Sequence, residues 1–148
     1  MSRVIRTLAV SCFTAFVVAA GAACAMSPAA PTNFAPFSQT DLTVGTGATA
    51  TSGVLVGVNF TGWLYDSSQP NNKGAVFSTN DGGSPLTFTL GAGSVIEGWD
   101  QGLVGMRVNG VRRLVVPPSL AYGQKRHGSI PPNSTLIFEV TLVSVTAQ

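Results

Sequence analysis

Charge is scarce in this chain. Asp, Glu, Lys and Arg together make 9% of 148 residues, and the formal net charge is +2. That leaves no basic stripe of the kind a nucleic-acid surface needs. The four close basic residues, Arg112, Arg113, Lys125 and Arg126, fall on two separate segments and read as solvated surface charge. Histidine is almost missing: His127 stands alone, with no Cys, Asp or Glu at ligand spacing, so it reads as a surface-loop residue and no metal centre is expected. Carboxylates are few as well. Glu97 is taken up by a helix cap and Glu139 by the outward face of a strand, which leaves no pair for general acid–base work. Gly45-Thr46-Gly47 and Gly91-Ala92-Gly93 lack the further glycines or the lysine of a phosphate cradle, so both read as turns and no cofactor is implied. The two cysteines, Cys12 and Cys24, both precede the expected folded domain, which must then be held by its core without a disulfide.

What the chain does have is arranged in order along it. Arg3 and Arg6 followed by the apolar run Leu8–Ala23 and by Ala23-Cys24-Ala25 read as an export signal over residues 1–25. The run is short for a membrane span of about 20 residues. Cleavage after a small-x-small site is one outcome. Lipidation of Cys24 is the other, although Gly21 stands where a lipobox has Leu. Residues 26–37 carry Pro28, Pro31 and Pro36 among small residues and read as a linker. The folded domain is expected over residues 38–148.

Alternation with a period of two then predicts strands. They fall at Thr40–Val44, along Val54, Val56, Val58 and Phe60, at Ala75–Thr79, and along Leu86, Phe88 and Leu90. Two more fall around Leu114 and Val116, stopped by Pro117-Pro118, and along Leu136, Phe138, Val140 and Leu142. Asp66–Gly74 and Tyr122–Pro132 are expected as exposed loops. Between strands the period changes: Ile96, Trp99 and Leu103 share one helical face, with Ser94 and Glu97 expected to form a capping box. Gly98, Gly102 and Gly105 each cost about 1 kcal/mol relative to Ala, so this helix needs tertiary packing. The fold class expected is α+β, an antiparallel half-barrel sheet wrapped around one short helix. Phe60, Phe77, Trp99, Tyr122 and Phe138 come from five different elements that such a sheet brings to one end. Composition leaves open whether they make a plain core or an open apolar pocket.

Four motifs carry a resemblance. Val58-Asn59-Phe60-Thr61-Gly62-Trp63-Leu64 resembles the VHYTGWL strand of the FKBP-type peptidyl-prolyl isomerases, and Val95-Ile96-Glu97-Gly98-Trp99-Asp100-Gln101-Gly102-Leu103 resembles their VIxGWxxGL helix. Leu120-Ala121-Tyr122-Gly123 is similar to their LAYG turn, and Ile130-Pro131-Pro132-Asn133-Ser134-Thr135-Leu136-Ile137-Phe138 to their IPPNATLxF segment. The order is the family's, from about Asp41 onward. The resemblance implies a prolyl isomerase, here a bacterial exported form, acting on proline-containing polypeptides as a monomer and bound by macrolides such as rapamycin. It implies a pocket of Phe60, Phe77, Val95, Ile96, Trp99, Tyr122, Ile130 and Phe138 with Trp99 as its floor. It also implies that the Ile96 N–H and the Tyr122 phenol donate to bound carbonyls. Two positions depart: Phe60 stands where a Tyr is usual, and Ser78 where an Asp orients groups at the rim. Reduced turnover and weaker macrolide binding are expected, with Asp81 a substitute for the missing carboxylate if its turn folds inward. A binding module of the same fold with little turnover is the alternative.

Overall fold

The computed structural model describes residues 34–147; the segment expected to be an export signal, the first part of the expected linker, Cys12 and Cys24 lie outside the described residues. The alternating runs become six strands: β1 Ser38–Thr43, β2 Leu55–Tyr65, β3 Lys73–Thr79, β4 Leu86–Thr89, β5 Val111–Val116 and β6 Leu136–Thr146. All pair antiparallel in the order β1-β5-β6-β2-β3, with β4 beside β2. Side chains that alternate on one face (Val56 and Val58 of β2, Leu114 and Val116 of β5, Leu136, Phe138, Val140 and Leu142 of β6) are buried together. Each contributes about 1.5–3 kcal/mol by leaving water. The expected Asp66–Gly74 loop is shorter than the sequence suggests. A 3₁₀ turn occupies Pro70–Asn72 and β3 begins at Lys73, because Pro70 presets the turn while Asn71 and Asn72 accept left-handed backbone. No helix among the described residues is long and apolar enough to cross a membrane.

One edge of β2 is shared by two partners. β4 pairs with Leu55–Val58 and β3 with Thr61–Tyr65, so the ladder breaks between them. Asn80 fills the break. Its Oδ1 accepts from Phe60 N at 2.7 Å, and its Nδ2 donates to Val58 O and Ser84 O, each at 3.1 Å. A side-chain amide thus replaces missing strand hydrogen bonds, and it does so beside Phe60.

The single helix, α1, runs Glu97–Gly102 across the concave face. Its glycines have a packing reason. A Cβ on Gly98 would sit 2.4 Å from Val116 Cγ1, and one on Gly102 2.6 Å from Leu114 Cδ2. Their absence lets the helix backbone lie against β5. The expected capping box does not form. Ile96 is the N-cap, in extended backbone with no side-chain cap, and the Glu97 carboxylate accepts instead from Gln101 Nε2 at 2.8 Å. The reason is register: the helix opens two residues too late for Ser94 to cap it. Asp100 organises the entry in its place, accepting from Gly91 N at 2.8 Å and Gly93 N at 2.9 Å.

Arg112 is a second correction, since it is not a solvated surface charge. It lies in the inward row of β5 with Leu114 and Val116, only 6% exposed. Its guanidinium donates to both Asp41 oxygens (2.5 and 3.1 Å) and to the carbonyls of Gly102 (2.8 Å) and Val104 (3.0 Å). It therefore joins β1 to the carboxyl end of α1, where a cation is favoured.

Candidate active site

Trp99 sits at the middle of α1 and faces the sheet, 4% exposed. Around its indole stand Phe60 at 4.9 Å and Phe138 at 5.2 Å, both edge-on, and Phe88 at 5.8 Å, tilted. Phe77 meets Phe138 edge-on at 5.5 Å. Gly62 of β2 makes this possible, because a Cβ there would lie 2.6 Å from the Phe77 ring and 3.1 Å from that of Phe138. Such ring pairs add about 0.5–1.5 kcal/mol each beyond their buried area. The rings do not fill the cup. A cavity of about 390 Å³ opens above the indole, so the exposed sliver of Trp99 is its floor.

The nine residues expected from the sequence to form the pocket and its rim all line this one cavity. Phe60 comes from β2, Phe77 and Ser78 from β3, Val95 and Ile96 from the approach to α1, Trp99 from α1, Tyr122 and Ile130 from the loop before β6, and Phe138 from β6. The structure brings them together without exception. Asp81 is the correction. It lines a separate depression with Asn59, Thr61 and Glu139, its N–H held by Thr79 Oγ1 at 3.1 Å, so its carboxylate does not replace the one missing at Ser78. The turn is fixed outward by Asn80.

Sequence reasoning missed Leu86, Ser94, His127, Gly128 and Ser129, which also line the cavity. His127 is exposed, as a loop histidine should be, yet its ring stacks flat on Tyr122 with centroids 4.1 Å apart and planes within 6°. A signal was available. Gly128-Ser129 is a turn dipeptide, and closing it pairs His127 with Ile130 (3.1 and 2.9 Å), which folds the loop back over Tyr122.

The cavity wall carries no carboxylate, ammonium or guanidinium. Its polar groups include hydrogen-bond donors. Burial pushes the Tyr122 phenol above its ordinary 10.0, which keeps the proton on the oxygen. The Ile96 N–H donates to nothing among the described residues, and the Trp99 indole N–H is buried without a partner there. Such a site can hold an apolar ring and meet carbonyl oxygens. Ser78, Ser94, Ser129 and His127 line it, but no hydrogen bond joins a serine hydroxyl to the imidazole, so no activated nucleophile is assembled for covalent chemistry. No cluster of three or more His, Cys, Asp or Glu among the described residues is placed to hold a metal ion.

Comparison with known proteins agrees with this geometry. A family model described as FKBP-type peptidyl-prolyl cis-trans isomerase matches residues 47–143. FK506-binding protein 4 of Neurospora crassa is 48% identical over 105 residues, which are 71% of this chain and 21% of that protein. FK506-binding protein 3 of Yarrowia lipolytica is 45% identical over 105 residues, 71% of this chain and 24% of that protein. The chain thus spans about a fifth to a quarter of the length of these curated relatives. Among solved structures, the crystal structure of AtFKBP13 is similar at a TM-score of 0.62 and 36% identity, covering 73% of this chain and 91% of that one. FkpA from Escherichia coli is similar at 0.63 and 36%, covering 75% of this chain and 48% of the other. Six antiparallel strands around one short helix, and a family match spanning residues 47–143, place this chain in the FKBP-type peptidyl-prolyl cis-trans isomerase family.

Proposed function

We propose that this chain is an exported prolyl isomerase, of bacterial type, that speeds rotation about Xaa–Pro bonds in exported proteins and so assists their folding. The observation that carries the reading is the open, charge-free cavity above Trp99. Rotation of the amide meets a barrier of about 18–20 kcal/mol because resonance must be broken. The twisted amide is less polar than the planar one, so a dry apolar wall disfavours the ground state more than the transition state. Each 1.4 kcal/mol or so gained is about tenfold in rate. In this reading the proline ring rests on Trp99 between Phe60, Phe77, Val95, Ile130 and Phe138. The Ile96 N–H and the Tyr122 phenol hold the flanking carbonyls, and Ser78 stands at the rim.

A protease-coupled assay on a short Xaa–Pro peptide tests this, with rapamycin as competitor. Turnover that the macrolide blocks supports the isomerase, and a solution mass of one chain supports its acting as a monomer. Absence of turnover with intact peptide binding supports a second reading, a proline-recognising module, which Ser78 favours because its wall lacks the family's carboxylate. Export is tested separately. The N-terminal mass of the mature protein distinguishes cleavage after Ala25 from a lipid anchor on Cys24, and an intact Met1 overturns both.

A further inference from the structure

We propose that the lip of the pocket selects its substrates by charge, with Lys125 and Arg126 favouring proline segments that carry an acidic residue near the proline. The inference rests on the isomerase reading of the pocket and adds a specificity to it.

Three observations lead there. The first is charge compensation. Among the described residues Lys73 and Arg113 are paired with Glu139, and Arg112 with Asp41, while Arg107, Lys125 and Arg126 make no ion pair. Two of these three uncompensated cations are adjacent, and both are exposed. The second is position. The residues that follow them, His127 to Ile130, line the cavity, so the two cations stand one and two residues from its wall. The cavity wall holds no carboxylate, ammonium or guanidinium, which leaves the lip as the nearest source of fixed charge on that side. Glu97, which follows Ile96 of the wall, does not line the cavity, and its carboxylate accepts from Gln101 Nε2 at 2.8 Å.

The third is rigidity. Lys125 N donates to Tyr122 O at 3.2 Å, Gly123 N to Pro118 O at 2.8 Å and Asn133 N to Gly123 O at 2.8 Å. His127 is stacked on Tyr122, and Arg126 Nε donates to Gly128 O at 3.3 Å. The backbone that bears the charges is thus set before a substrate arrives, so little ordering opposes the interaction. An extended chain advances roughly 3.3 Å per residue. A side chain two or three residues from the bound proline therefore passes within about one Debye length, ~8 Å at physiological salt, of the lip. Two unit charges at that range in a water-like medium give about a fivefold preference at low salt.

The test compares peptides with Glu, Gln or Lys placed two residues before the proline, and a matched set with the change two residues after it. Values of kcat/KM are read for the wild type and for the double variant Lys125→Glu, Arg126→Glu, at low and at high salt. The expected result is Glu over Gln over Lys on one side of the proline, by about fivefold, collapsing toward parity at high salt and inverting in the variant. Should the double reversal fail to fold, Lys125→Gln with Arg126→Gln is used instead, and its Glu-to-Gln ratio should fall to about one. Equal turnover of all peptides overturns the selectivity while leaving the isomerase reading standing. A preference that survives charge reversal or neutralisation overturns it too, by placing the selection elsewhere. A wild type that turns over none of the peptides sinks the isomerase reading itself, and the selectivity falls with it.

Discussion

Phe60 and Ser78 set the chemistry of one pocket wall, and neither can be judged alone. The register pairs Gly62 with Ser78, which makes Phe60 and Ser78 diagonal neighbours across β2 and β3. Ser78 is exposed at the rim, so a carboxylate put there by itself would stay charged in water but would have no donor at position 60 to fix it. A phenol at position 60 would give it a donor. We expect Phe60→Tyr with Ser78→Asp to raise kcat/KM on a proline peptide about threefold to tenfold, the net size of one ordinary hydrogen bond, and Ser78→Asp alone to give less. Equal values for the single and double variants would break the coupling. The pocket side chains were legible in the sequence because aromatic identity and motif order survive without coordinates. His127 was not, since its part in the wall depends on a turn closing beyond it.

Strands and helix were legible at the level of elements, where periodicities of two and 3.6 are local properties. Two devices were hidden because each depends on a distant partner. Asn80 sits in what reads as an ordinary turn, yet it serves Val58 and Phe60, some twenty residues away. Asn80→Ala leaves Phe60 N and Val58 O without partners, and a loss of about 1–3 kcal/mol in denaturant unfolding is expected. The α1 glycines read as weak helix formers, and only the distance to β5 explains them. Ala at either position gains about 1 kcal/mol of helix propensity. At Gly98 the added methyl meets stiff Val116 at 2.4 Å, whereas at Gly102 it meets the mobile end of Leu114. We therefore expect Gly98→Ala to lose about 1–3 kcal/mol net and to weaken peptide binding by lifting Trp99, and Gly102→Ala to lose less. Chemical denaturation of the pair, with Trp fluorescence as readout, checks the order. The expected capping box failed for a related reason, since where a helix opens is set by the packing of Trp99 and Leu103.

Across the whole molecule, ion pairs hold parts of the sheet that the core does not reach. The hydrogen bond from Arg112, helped by its charge and outweighing burial, holds the Asp41 carboxyl below its ordinary 3.8. Burial pushes Glu139 up, but hydrogen bonds and charges from Lys73 and Arg113 prevail and hold it below its ordinary 4.5. Carboxyls depressed on folding stabilise the native state above their unfolded values, and that stability drains away as pH falls through the folded values. The thermal midpoint should be flat from neutral pH down to about pH 5 and then fall. Asp41→Asn should lower it at pH 7 and blunt the acid loss. Breaking a fully buried pair costs about 3–5 kcal/mol. Asp41 is 42% exposed and Arg112 keeps its two carbonyl partners, so about 1–3 kcal/mol is expected after screening. Sheet order has one further consequence. β6, last of the strands to be synthesised, lies in the interior of the sheet between β5 and β2. Until it emerges, the earlier strands have no centre to close on and Trp99 no Phe138 to lean against. The nascent chain must therefore stay open until nearly all of the domain has been made, a state that a translocation pore could accept and that a chaperone would have reason to guard.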